Sequence, residues 1–140
     1  MKRLRSQRGA ALVEAAMTIP ILLLIAIGIF EFGRAYQFWQ VLTNASREAA
    51  RYAVTPGSTV TDAQNVALTY MNAGGVTGCT AACIAVSSTG VTAGTQTTVT
   101  IQYPFQFIVI QPIARMVTRS SGMPNALTMT AAATMRNEGT

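Results

Sequence analysis

The side chains best suited to chemistry in this 140-residue sequence are few: two cysteines, five acids and no histidine. Without histidine the chain lacks the commonest general base and the commonest metal ligand. Glu14, Glu31, Glu48, Asp62 and Glu138 are scattered in sequence, and the plentiful serines and threonines have no evident base beside them. No GxSxG, HExxH, P-loop or dinucleotide fingerprint is present. The sequence therefore predicts neither an enzyme nor a site for a metal, a cofactor or a small-molecule substrate. Cys79 and Cys83 remain. Their CxxxC spacing is not the CxxC of redox motifs, and two thiols without histidine make a poor zinc site. Outside a reducing compartment a structural disulfide between them is the expectation, with a local role because a short loop yields limited entropic stabilisation.

Glu14 poses the sharper problem. It is the only charge between Ala10 and Phe30. A helix over that run rises roughly 31 Å, close to the thickness of a bilayer's hydrocarbon core. A carboxylate at the centre of such a span costs about 2.5–3.5 kcal/mol, and the helix dipole near the N-terminus returns only about 0.3–1 kcal/mol. Either Glu14 snorkels to the headgroups or it pairs with a cation during assembly. Lys2, Arg3, Arg5 and Arg8 precede the run, which places the N-terminus in the cytoplasm and residues beyond about 32 on the other side. These four cations also account for most of the net charge of +5; beyond residue 9, six cations face five acids. The basic end is thus a topology signal rather than a nucleic-acid site. A secretory signal peptide is the alternative, but residues 31–34 make a poor small-residue cleavage site.

A basic leader, Gly9, four residues, Glu14 and then an apolar helix is similar to the prepilin signature of type IV pilins. More narrowly, the string through Pro20, the Glu31-Phe32-Gly33-Arg34 block and residues 47–51 resembles the TadE-like proteins, pilin-like components of the tight-adherence (Tad, or Flp) pilus machinery. The resemblance returns weakly over residues 126–138. The chain departs from the usual prepilin pattern at Ala15, where an aromatic normally follows the glutamate. The resemblance implies cleavage between Gly9 and Ala10 by a membrane-embedded prepilin peptidase, leaving Glu14 as the assembly charge that pairs with a neighbouring N-terminal amine. It implies residence in a bacterial inner membrane, entry into the pilus on assembly, and partners among other pilins or pseudopilins and the Tad assembly platform. The added domain favours a minor over a major pilin, since major pilins of this class are little more than the helix. A non-polymerising, single-pass binding or scaffold protein of the cell envelope is the competing reading.

The elements that would position these residues follow from periodicity. The expected fold is α+β and pilin-like: one long N-terminal transmembrane helix continues as a spine packed on a small antiparallel sheet, with a second short helix. The expected divisions are a leader (1–9), a span (10–32), a continuation of the helix (33–54) and a small extracytoplasmic domain (55–140). Pro20 lies inside the helix, as a mild kink or a local unwinding that lets helices pack. Beyond the span, Phe32, Ala35, Tyr36, Trp39, Leu42, Ala45, Ala49 and Tyr52 predict a core-facing stripe. Tyr36 and Trp39 also suit a membrane-interface belt, and Glu48 and Arg51 a weak i,i+3 pair. Pro56 and Gly57 end the helix. A second helix is predicted over 61–72, capped by Thr59 or Thr61 with Asp62 in its first turn and an apolar face of Val66, Leu68, Tyr70 and Met71; Gly74 and Gly75 stop it. Alternation predicts strands near 84–88, over 97–103 and over 127–136, with turn-rich segments at 90–94 and 120–125. The apolar segment 105–117, broken by Pro112, is expected as a buried strand with its loop or, failing that, as a surface facing the membrane or another subunit.

Overall fold

A computed structural model describes residues 2–89, 94–112 and 126–137, with side chains from Gly9 onward. The expected turn at 90–94 (apart from Gly94), the loop at 120–125 and residues 113–117 of the apolar segment lie outside the described residues. The fold is α+β. Helix α1 runs Lys2–Ala53 and α2 runs Val60–Ala73. A three-residue turn of 3₁₀ helix, Ala81–Cys83, leads into β1 (Ile84–Val86), followed by β2 (Gln96–Phe105) and β3 (Leu127–Arg136). The sheet is antiparallel in the order β1-β2-β3, with Ile84 opposite Ile101 and Val99 opposite Ala133.

The described residues fall into two compact units. The first comprises α1 up to Arg34 with the segment that begins at Phe107. Its helix is long and apolar enough to cross a membrane: the most apolar window has mean hydropathy 2.4 and none of that window is buried. Pro20 is accommodated within α1.

The second unit comprises residues 35–106 with β3. Its core joins Leu42, Ala45, Ala49 and Ala50 of α1 to Ala67 and Met71 of α2 and to Ile84, Val99, Ile101 and Ala131 of the sheet. Phe38 sits edge-on to Tyr103 and Phe105, with ring centroids 5.8 and 5.5 Å away. The predicted stripe is correct at Leu42, Ala45 and Ala49. It is wrong at Tyr36, Trp39 and Tyr52, which are exposed, while Phe38, Val41, Ser46 and Ala50 turn inward. The side chains that turn inward are mostly small, and the bulky rings lie on the flank, where Tyr36 and Trp39 lie beside each other with centroids 6.2 Å apart. Glu48 and Arg51 are both exposed and form no ion pair, as an exposed pair gains little in water.

Alternation along the strands is as expected. Thr97, Val99, Ile101 and Phe105 point inward from β2, and Met129, Ala131, Ala133 and Met135 from β3. Pro104 is tolerated in β2 because β1 pairs only as far as Ile101. Helix α2 starts on a capping box: the Thr59 hydroxyl accepts from the Asp62 amide, and the Asp62 carboxylate accepts from the Thr59 amide. Its buried face is Ala63, Ala67 and Met71, with Leu68 partly buried; Tyr70 is exposed. It ends in a Schellman motif. Gly75 has φ 78° and donates to the Asn72 carbonyl, and Val76 donates to that of Met71.

A Cβ on Gly74 would lie 2.6 Å from Cγ1 of Val41. Gly74→Ala must therefore push α2 off α1. We expect a loss of about 1–3 kcal/mol in the denaturant unfolding of the full chain in detergent. A compensating Val41→Ala should restore part of that loss, and its failure to do so would place the damage elsewhere.

Candidate functional site

Glu31 stands at the end of the apolar run and is completely buried. A carboxylate out of water needs its oxygens occupied. One oxygen, Oε2, accepts from Nη2 of Arg34 at 3.0 Å, one turn along the helix. The other, Oε1, accepts from the backbone amide of Val109 at 2.6 Å, 78 residues away in sequence. The Phe32 ring meets that of Phe107 edge-on, with centroids 6.4 Å apart. A charge-assisted backbone hydrogen bond and an aromatic contact thus tie the segment to α1, and Arg34 neutralises the carboxylate that accepts the bond.

Over residues 106–112 the structure corrects the reading of a buried strand with its loop. Only Phe105 ends a strand and is buried; the chain bends at residues 108–109 and is helical over 110–112. Pro112 suits the first turn of a helix, where its missing N–H is not needed. Residue-level reading had placed Glu31 only within a family motif, without a partner. The available signal was an acid at the margin of an apolar run with an arginine three residues on.

Glu14 has the opposite environment. Its side chain is exposed, and among the described residues nothing pairs with it; only its backbone carbonyl is engaged, by the Thr18 hydroxyl at 2.8 Å. Gly9 and Ala10 are exposed on α1. A Cβ at Gly9 would meet nothing within 4 Å, so packing does not require a glycine there.

Cys79 and Cys83 are half-buried free thiols, so the structure holds them in the unbonded form. They lie close enough to interact: burial first, and then the hydrogen bond and charge of Cys83, push the Cys79 thiol up to about 12. The Cys79 thiol also donates to the Thr80 carbonyl at 3.5 Å. Such a thiol is a poor nucleophile near neutral pH. Among the described residues no cluster of acids and cysteines has the makings of a metal site.

Residues 9–51 match the model of a family described as TadE-like protein. The match covers the apolar helix from Gly9 through Glu14, Pro20 and the Glu31–Arg34 pair into the core-facing turns of α1. Over these residues, and not beyond them, the chain is similar to TadE-like proteins. No curated protein and no solved structure matches the chain.

Removing the Glu31 carboxylate leaves the Arg34 guanidinium and the Val109 amide without their acceptor. Glu31→Ala should cost about 1–3 kcal/mol and free the segment at 107–110. Hydrogen exchange read by mass spectrometry should show faster exchange there, with Glu31→Gln intermediate because its carbonyl can still accept. Unchanged exchange in Glu31→Ala would show that the segment is held by other contacts.

Proposed function

We propose that the chain is a minor pilin or pseudopilin, a structural subunit for assembly of a Tad-type pilus that supports adhesion or secretion. The observation that carries this reading is a coincidence in one helix. The TadE-like match falls on a helix whose apolar side chains are exposed along the whole span, with one carboxylate, Glu14, unpaired among the described residues. An apolar surface of that size requires a non-aqueous neighbour. Lipid provides it before assembly, and the helices of other pilins or pseudopilins provide it afterwards. A carboxylate among those helices requires a cation, which a neighbouring subunit's N-terminal amine supplies once a prepilin peptidase cuts between Gly9 and Ala10. The open space around Gly9 accords with a glycine kept for recognition rather than packing.

In this reading residues 1–9 are the leader and residues 10–32 cross the bacterial inner membrane from a cytoplasmic N-terminus. The continuation of the helix, residues 33–54, and the small domain at 55–140 lie outside, where the Tad assembly platform and neighbouring subunits meet them. Pro20 eases helix packing in the filament. The envelope is oxidising, and there Cys79 and Cys83 close into a disulfide. Non-reducing peptide mapping of the native protein would detect the link, and two free thiols throughout would end that assignment.

The test of the whole reading is the N-terminal residue of the protein recovered from membranes, with and without the cognate prepilin peptidase. A chain beginning at Ala10 only when the peptidase is present is the expected result. A chain still beginning at Met1 would make it a permanent anchor, as a scaffold protein of the envelope would be. Glu14→Ala should leave processing and membrane levels unchanged while abolishing pilus assembly, and normal piliation in that variant would rule out the charge pair.

A further inference from the structure

We propose that residues 107–110 form a second membrane contact, a short apolar element pinned to the far end of the span and inserted into the adjacent leaflet. The inference rests on the reading of α1 as a membrane span. The segment is anchored on both sides of Ile108: the Phe107 ring lies against Phe32, and the Val109 amide donates to Glu31. Between these anchors the Ile108 side chain is 60% exposed. On the helix beside it, Ile29, Phe30 and Phe32 are 70%, 63% and 67% exposed. Four consecutive apolar residues, Phe-Ile-Val-Ile, are thus tied to the level of α1 at which the apolar run ends, and residues 105–112 carry no charge.

Lipid is the occupant these observations select. Ile108 lies between two residues tied to Glu31 and Phe32, next in sequence to Ile29 and Phe30, so a bilayer that takes up those side chains reaches its level. Irregular backbone is excluded from hydrocarbon unless its polar groups are satisfied. Here the bend at residues 108–109 gives the Val109 amide to a carboxylate that is itself neutralised by Arg34. The wholly apolar rings of Phe32 and Phe107 suit burial at the acyl side of the boundary between tails and headgroups.

The test uses the full-length chain reconstituted in phosphatidylcholine vesicles. Trp39 is the sole tryptophan, so Trp39→Phe gives a dark background. On it, Ile108→Trp reports the segment and Ile25→Trp reports the span. Brominated phosphatidylcholine should remove most of the emission of both variants, and aqueous acrylamide little of either. Quenching of Ile25→Trp by bromine but of Ile108→Trp only by acrylamide would overturn the proposal while leaving the span in place. Shielding of Ile108→Trp from both quenchers would mean that a second copy or another subunit covers it, and would equally overturn lipid contact. Loss of bromine quenching in both variants would remove the span and the proposal together. A diazirine phospholipid photolabel on the unsubstituted chain provides a check free of mutation. Label on residues 107–110 as well as on the span is expected, and label confined to the span would refute the insertion.

Discussion

The constraint on which everything else depends is that the first part of α1 presents a long apolar window of which, among the described residues, none is buried. In water that surface would drive aggregation; in a bilayer it is at rest. Once the helix is placed there, each polar group along it must find a partner or a route to water, and the two acids solve this differently. Glu31 is satisfied within its own chain, by Arg34 and a backbone amide. Glu14 has no such partner among the described residues, and its requirement is therefore directed outward.

The two compact units divide the physical labour. In the first, a hydrogen bond from the Val109 amide to Glu31 and an aromatic contact hold a short segment against an apolar helix. In the second, cohesion comes from ordinary burial of Leu42, Met71, Val99, Ile101 and Phe105, with alanines at the closest approach. Surface polarity there is supplied mainly by threonine, serine, glutamine and asparagine rather than by charge, as the 11% of charged residues requires. Thr98 and Thr134, opposite each other on β2 and β3, share a hydrogen bond at 2.9 Å on the exposed side.

Local patterns were legible in the sequence to the extent that their causes are local. Thr59 and Asp62 announce a helix start because both halves of the cap lie within three residues, and period-two alternation exposes β2 and β3 because each has one buried face. The core stripe of α1 was legible at its alanines and misread at its rings. A 3.6-residue period permits two adjacent stripes, and bulk alone favoured the wrong one: Ser46 and Ala50 are buried while Tyr52 is exposed. The segment after Phe105 was misread because an apolar run has the same composition whether it is a strand or a pinned bend. The role of Glu31 was invisible because its second partner lies 78 residues away. Roles for Gly9, Ala10 and Glu14 were legible only through family resemblance, since among the described residues nothing pairs with the Glu14 carboxylate and nothing packs against Gly9.

The grip of Glu31 on the segment after β2 is a grip on main chain. A peptide N–H is present at every residue type except proline, so the contact is indifferent to which side chain stands at position 109. Relatives can therefore drift freely there in sequence and keep the same architecture. The link will leave no co-varying pair of positions in an alignment; its trace would be an acid that persists opposite a variable site, with proline the one residue that never appears.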